Sequence, residues 1–401
     1  MKILLADSLP AAAVARLEAA GDEVWVNGDL TADNLGDALP GCNALVVRST
    51  KVTADALAQA DELALIVRAG AGTNNIDCQK AADLGIFVCN VPGQNALAVA
   101  ELTLGLLIAV DRHIAAGTAD LREGKWNKKA YSEAGGLYGR TMGIIGVGDI
   151  GIATAERATG FGIDVIAIAK ESRSAANVQR AEQAGIRFVD SENELLAASD
   201  IVSLHVPGHK STKGLVDAAF LAKMKNGAIL LNTSRGDVVD EAALINAMES
   251  RGLRAGLDVF ADEPGGGAAK FQSALAQHAS VVATHHVGAS TEQAQDAVAA
   301  GTIDAIDAYR AGEVANCVNM EAVPARSATI VVRHHDRVGV LAAVLAILRG
   351  QHLNVSNMSN KIFAGAKAAV ATIDVAKVPS AEVLEEIKAH DDVINVSVNL
   401  V

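Results

Sequence analysis

The chain has 401 residues, enough for two or three domains with cores of their own. Half of it is hydrophobic and 20% charged, which excludes wholesale disorder, and aromatics at 3% leave alanine and the aliphatics to fill the interior. Acids outnumber bases 47 to 34, and the resulting net charge of -13 disfavours nucleic acid as a partner.

MKILLAD opens with an apolar run too short for a secretory signal, and no later stretch is long enough to span a bilayer. A cytoplasmic location with no membrane partner is therefore expected. Cys42, Cys78, Cys89 and Cys317 are too widely spaced for a metal clip or a disulfide framework. They read as reduced, structural thiols, and no metal site is expected.

Strands and helices alternate from the start: KILLA, a helix over Ala11 to Ala20, ALVVR, a helix over Ala54 to Ala60, ALIVRAG and IFVCN. That alternation predicts a parallel sheet with covering helices. An apolar helix over Ala98 to Val110 follows, then a polar stretch with GKWNKK at 124–129 that reads as a crossing between lobes. A second series begins at Met142, with strands at 142–145, 165–169, 201–206, 228–232, 255–259 and 281–284. Their continuous hydrophobicity suits parallel strands buried on both faces. A helix over Glu292 to Ala311 precedes an aperiodic stretch containing Pro324, read as a linker. From Ala328 the order becomes strand, helix, strand, strand, helix, strand, the ferredoxin-like plan. The fold class is therefore α/β, two doubly wound parallel-sheet lobes plus a C-terminal βαββαβ module.

GVGDIG, Gly146 to Gly151, lies between the strand MGII and the helical run IATAERA. Gly146, Gly148 and Gly151 permit a tight turn, close approach to a pyrophosphate and close helix packing, and the helix N-terminus, with Asp149 and Ile150, stabilises the anion. A carboxylate at Asp149 opposes phosphate, so its side chain is expected to point to solvent. The next strand ends at Ala169 with no acid for the ribose hydroxyls of NAD. Lys170, Ser172 and Arg173 there are either a seat for the 2′-phosphate of NADP or a solvated charged turn. NAD and NADP both stay open.

In an open α/β sheet the ligand lies beyond the carboxyl ends of the strands. The strands of this half end in HVP (205–207), NTSRG (232–236), LDVFADEP (257–264) and THHVGAS (284–290). Imidazole, carboxylate and guanidinium are what oxidation of a 2-hydroxy acid requires: a base for the hydroxyl proton, an acid to orient it, and a cation for the substrate carboxylate.

The runs GGLYGRTMGIIGVGDIG, SLHVPGHKSTKGLV, NTSRGDVVDEAAL, GLDVFADEP and THHVGAST resemble the D-isomer-specific 2-hydroxyacid dehydrogenases, over nearly the whole chain. The resemblance implies Arg235 as the carboxylate-binding residue, Glu263 as the acid paired with the imidazole, and His286 as general base, with His285 a rival. It implies Asp258 facing the nicotinamide amide, and Pro207, Thr233, Ser234 and Gly288 beside the cofactor. VVRST, VRAGAGTNNID and VPGQNALAVAE resemble the substrate-side loops, implying Arg48, Ser49, Gly70 and Asn95, with Lys128 a further cation. Extra cations imply a phosphorylated 2-hydroxy acid. The expected reaction is oxidation of D-3-phosphoglycerate to 3-phosphohydroxypyruvate, the opening step of L-serine synthesis. The alternatives are a hydroxypyruvate, glyoxylate or D-lactate type reductase and a non-catalytic dinucleotide-sensing scaffold.

The family plan inserts a Rossmann-like cofactor lobe into a flavodoxin-like substrate lobe. It implies a substrate-binding domain at 1–97 and 289–316, a dinucleotide-binding domain at 98–288, a linker at 317–327 and a regulatory domain at 328–401. The last resembles the ACT domain, through HHDRVGVL (334–341) with Asn354 opposite. His334, Asp336 and Asn354 are then the regulatory residues, L-serine the ligand, and a homodimer or homotetramer the assembly.

Overall fold

A computed structural model describes residues 1–264, 268–321 and 326–400. These form two compact units, Met1–Asn319 and Met320–Val401. Pro324 of the expected linker and Val401, the end of the expected terminal domain, lie outside the described residues.

The first unit opens with β1 (Lys2–Leu5), α1 (Ala11–Ala19), β2 (Glu23–Val26), α2 (Leu35–Ala38), β3 (Ala44–Val47), α3 (Ala54–Leu57), β4 (Leu65–Arg68), α4 (Cys78–Asp83) and β5 (Phe87–Asn90). The strands make a parallel sheet in the order β2-β1-β3-β4-β5. ALVV of β3 is buried at every position, as a strand covered on both faces must be. The edge strand β2, EVWV, is absent from the sequence reading because its residues are largely exposed and Glu23 interrupts the apolar pattern.

The chain then passes through α5 (Ala96–Asp111) and α6 (Ile114–Arg122) into β6 (Thr141–Ile145), α7 (Asp149–Gly160), β7 (Asp164–Ile168), α8 (Ala175–Gln183), β8 (Ile186–Val189), α9 (Glu192–Ala198) and β9 (Ile201–Leu204). It continues through α10 (Ala218–Lys223), β10 (Ile229–Asn232), α11 (Glu241–Arg251), β11 (Arg254–Leu257) and β12 (Val281–Ala283). These strands form a parallel sheet of seven in the order β12-β11-β10-β9-β6-β7-β8, which reverses direction at β6. The order changes hand between β6 and β9, the place where open α/β sheets hold their ligands. Leu104, Leu106 and Leu107 of α5 pack into the core of this second sheet. α12 (Glu292–Arg310) returns to the first, where Ile303 and Ile306 meet Ile3, Leu5 and Leu17.

Further stretches differ from the reading of the sequence, which also has no strand where β8, IRFV, lies with Arg187 exposed between its buried ends. The polar segment before β6 carries a helix of its own, α6, none of whose residues is buried. Residues 317–319, expected in a linker, instead extend the first sheet: Val318 donates its N–H to the Val88 carbonyl, and Asn319 accepts from Val88 N. Edge-strand backbone groups want partners, and this segment supplies them.

The second unit runs β13 (Ala328–His335), α13 (Val340–Gly350), β14 (Val355–Ile362), β15 (Ala368–Val375), α14 (Ala381–Lys388) and β16 (Val393–Leu400). Its antiparallel sheet is ordered β14-β15-β13-β16, the ferredoxin-like arrangement. Its core is Ile330, Val332 and Ile373 under Val344, Leu348 and Ile387.

Candidate active site

The carboxyl ends of both parallel sheets face one cleft of ≈ 1750 Å³. Arg235, Glu263 and His286 all line it, so the three separated motifs do meet. His286 Nδ1 stands 2.6 Å from Glu263 Oε2, while Glu263 Oε1 accepts the Phe260 N–H at 2.8 Å. Burial works to raise the Glu263 carboxyl. The His286 and Phe260 hydrogen bonds, with the charges of His286 and Arg235, outweigh it and hold the group below the usual carboxylate range. His285 also lines the cleft, but it is the ring of His286 that meets the acid. A third imidazole, His205, is held by Ser203 Oγ at 2.8 Å and pushed down by burial to about 4, so it is neutral at working pH.

His286 is held in a left-handed backbone, with φ of 54°. Asp258 holds it there. Its carbonyl accepts the His286 N–H at 2.7 Å, and its buried carboxylate accepts Val287 N at 2.9 Å, Gly288 N at 2.8 Å and Thr284 Oγ1 at 2.5 Å. The expected partner of a nicotinamide amide is thus first of all a brace for the loop that carries His286.

The first sheet contributes a cluster of positive charge. β3 and β4 pair with Val47 opposite Arg68, so Arg48 and Arg68 follow one another at adjacent strand ends, and both line the cleft with Arg235. Arg68 Nε is buried with no hydrogen-bond partner among the described residues. Burial, then the charges of Arg235 and Arg48, push its guanidinium down to about 10, with Asp7 opposing. The sequence reading missed Arg68, although IVR repeats the VVR pattern one strand over and the strand-end rule applies to this sheet as well.

Asp7, also missed, positions this cluster. One of its oxygens accepts the N–H groups of Arg48, Ser49 and Thr50 at 2.8, 3.2 and 3.0 Å, and the other accepts Ser49 Oγ at 2.6 Å. Burial raises its pKa, but these bonds hold it below the ordinary value. Ser49 is therefore a structural member of the turn that presents Arg48. Gly70 and Gly72 give the guanidiniums room: a Cβ on Gly70 would collide with Arg68, and one on Gly72 would lie 2.6 Å from Arg235 Nη2. Asn95, at the start of α5, completes this wall.

Across the cleft, Gly148 caps α7 with no side chain over the first-turn amides, and Gly148, Asp149 and Ile150 line the cleft. A Cβ on Gly146, where φ is 105°, would collide with the His205 carbonyl, and one on Gly151 with the carbonyl of Gly146. Among the described residues, none beyond its chain neighbours comes within 4 Å of a Cβ built on Gly148, so the loop face is open where a pyrophosphate would approach. These residues fit a dinucleotide. Asp149 is exposed, in keeping with a side chain turned to solvent, and it has a partner as well. It lines the cleft and is neutralised by Arg180 of α8, with Nη2 to Oδ1 at 2.8 Å.

Pro207, Thr233, Ser234 and Gly288 lie along the same side. The Thr233 hydroxyl is bonded to Thr103 of α5 at 2.9 Å and the Ser234 hydroxyl to Asn232 at 2.7 Å, so both arrive already fixed. Ala169 and Lys170 follow β7 but are not among the cleft-lining residues. Beside them Arg173 lies over the Phe188 ring, 4.8 Å from its centroid, and donates to the Ile168 carbonyl at 3.2 Å. Lys128, expected near the substrate, is exposed on the segment after α6 and does not line the cleft of its own chain.

In the second unit His334 is buried, with Nδ1 on the His335 carbonyl at 2.8 Å and Nε2 on Asn360 Oδ1 at 3.2 Å. Asn354 is not opposite it. β13 and β14 both run antiparallel to β15, so Asn354, just before β14, lies level with the start of β13, whereas His334 and Asp336 lie at its end.

Residues 104–288 match the family model described as the NAD binding domain of D-isomer specific 2-hydroxyacid dehydrogenases. A hydroxypyruvate reductase of Thermotoga maritima is 43% identical over 279 residues, 69% of this chain and 88% of the relative. The chain belongs to the D-isomer-specific 2-hydroxyacid dehydrogenase family. Another member, the D-3-phosphoglycerate dehydrogenase of Methanocaldococcus jannaschii, is 40% identical over 331 residues, 81% of this chain. The chain spans 60% of that relative's length. Among solved structures, a 2-hydroxyacid dehydrogenase of a Polaromonas species has a TM-score of 0.70 at 31% identity, with 79% of this chain and 99% of that one covered. An acyclic imino acid reductase solved with NADPH and D-Arg has a TM-score of 0.70 at 27% identity, with coverages of 79% and 100%. The match over residues 104–288 makes the second sheet with its glycine loop the counterpart of the family's NAD binding domain. Among the described residues, no helix is long and apolar enough to cross a membrane.

Proposed function

We propose that this protein interconverts D-3-phosphoglycerate and 3-phosphohydroxypyruvate, with His286 as general base. The observation that carries this reading is the convergence of Arg48, Arg68 and Arg235 beside the His286–Glu263 pair. A substrate with one carboxylate needs one guanidinium. Three in one cleft, one of them with a buried unpartnered Nε, suit a substrate that carries a phosphate as well.

In the proposed reaction His286 takes the proton of the substrate hydroxyl at Nε2, since Nδ1 is committed to Glu263. Glu263 orients the ring and stabilises the imidazolium that forms. Arg235 grips the carboxylate and polarises the nascent carbonyl, while Arg48 and Arg68 hold the phosphate. The nicotinamide dinucleotide, when bound, supplies the hydride acceptor. The amides of Gly148, Asp149 and Ile150 would hold its pyrophosphate, and Asp258, Pro207, Thr233, Ser234 and Gly288 would border its nicotinamide half. Beyond β7, Arg173 and the missing acid favour a dinucleotide with a 2′-phosphate.

A second reading, reduction of unphosphorylated hydroxypyruvate, draws on the Thermotoga relative, 88% of whose length this chain covers. Assays of phosphohydroxypyruvate, hydroxypyruvate, glyoxylate and pyruvate, each with NADH and NADPH, decide between them. A kcat/KM for phosphohydroxypyruvate at least tenfold above the others supports the phosphate reading, and equal values reject it.

In the terminal unit, His334 and Asp336 are at the opposite end of the sheet from Asn354. An L-serine site built from all three would therefore need two copies of the chain, in a homodimer or homotetramer. Titrating L-serine into the assay, and weighing the protein by sedimentation, tests both parts.

A further inference from the structure

Outside the cleft, the structure brings two of the four cysteines face to face. Cys89 lies in β5, the edge of the first sheet, and forms an antiparallel bridge with Cys317. The bonds around that bridge fix its type. Asn90 N donates to the Asn316 carbonyl at 3.2 Å and Val318 N to the Val88 carbonyl at 2.8 Å, so they flank the cysteines and do not join them. Opposed residues of this non-hydrogen-bonded kind have Cα atoms about 4.5 Å apart and side chains on one face. That spacing lies within the range of about 4.4–6.8 Å that a disulfide requires.

We propose that Cys89 and Cys317 are a reversible redox pair whose disulfide pins residues 316–319 to the edge of the first sheet. Both residues belong to the unit Met1–Asn319, and neither lines the cleft. Cys89 is buried and Cys317 partly exposed, which sets the order of events. With a small-molecule disulfide as oxidant, the Cys317 thiolate attacks one of its sulfurs and expels one thiolate. The Cys89 thiol then gives its proton to solvent, attacks the Cys317 sulfur, and expels the second thiolate. Two protein thiols are oxidised, and one disulfide is reduced to two thiols.

Burial first, and then the adjacent Cys317, push the Cys89 thiol up to about 12, so it is a poor first nucleophile. Once Cys317 carries the mixed disulfide, its contribution to that rise is gone. Cys78, whose thiol also senses Cys317, is the competing partner.

The test uses the full chain, incubated folded with oxidised glutathione, then quenched in acid and mapped without reduction. We expect a loss of two hydrogens from the intact mass and one cross-linked peptide pair carrying residues 89 and 317. We expect the thermal midpoint to rise and to return with dithiothreitol. Cys317→Ala, at the more exposed position, should show neither effect, and Cys78→Ala should keep both. A Cys78–Cys317 link, a persistent glutathione adduct on Cys317, unmodified thiols, or a cross-link that leaves the midpoint unmoved would each overturn the proposal.

Discussion

His286 Nδ1 and Glu263 Oε2 stand 2.6 Å apart, and the acid is itself anchored at Oε1 by the backbone of Phe260. The imidazole is held on one side, and in the proposed reaction Nε2 meets the substrate. Replacing His286 with Ala is expected to lower kcat by at least about a thousandfold, the scale of a lost general base. Dinucleotide binding, read from quenching of protein fluorescence, should stay within about twofold. Full turnover in this variant would move the base to His285.

In the proposed reaction Arg68 holds the phosphate, so it should separate phosphorylated from plain substrates. For Arg68→Met we expect KM for phosphohydroxypyruvate to rise about 10- to 100-fold, the loss of a charged hydrogen bond worth roughly 1.5–3 kcal/mol. KM for hydroxypyruvate should change little. Steady-state kinetics on both acids check this, and an equal rise for both would place Arg68 elsewhere in the chemistry.

Asp7 ties acid stability to the Arg48 turn. Its folded pKa lies below its unfolded one, so its contribution is full above the ordinary carboxyl range, near 3.9, and fades as pH falls through the lower folded value. Asp7→Asn is expected to lose about 1–3 kcal/mol at pH 7 and to flatten the fall in stability between about pH 5 and 3. Urea unfolding across that interval measures it. KM for the phosphorylated acid should rise as the Arg48 turn loosens.

Gly146→Ala sets a Cβ against the His205 carbonyl and forces a side chain onto a backbone with φ of 105°. We expect a lower thermal midpoint and loss of dinucleotide binding by isothermal titration. An unshifted midpoint would mean that the turn relaxes without cost.

Ala169→Asp places an acid at the end of β7, where it would bond ribose hydroxyls and repel a 2′-phosphate. The ratio of kcat/KM with NADH to that with NADPH should rise at least tenfold. An unchanged ratio would return Arg173 to the role of a surface residue packed on Phe188.

Much of this was legible in the chain itself. The buried strands announce themselves because residues covered on both faces must be apolar throughout; strand ends point to the motifs that carry Arg235, Glu263 and His286, and the family resemblance implies their roles. β2 escaped because an exposed edge strand has no such constraint, and Arg68 because the strand-end rule was applied to one sheet only. The partners of Asp149 and of Asn354 depend on which helix or strand end lies across from them. No local pattern encodes that.

Asp258 offers a last consequence. Because its carbonyl and buried carboxylate hold the backbone at 286–288 in place, the imidazole is aimed when the chain folds and need not be ordered again at every turnover. If His286 is the base, as proposed, the entropic cost of aligning it is met once per molecule, and reactants enter a geometry already set.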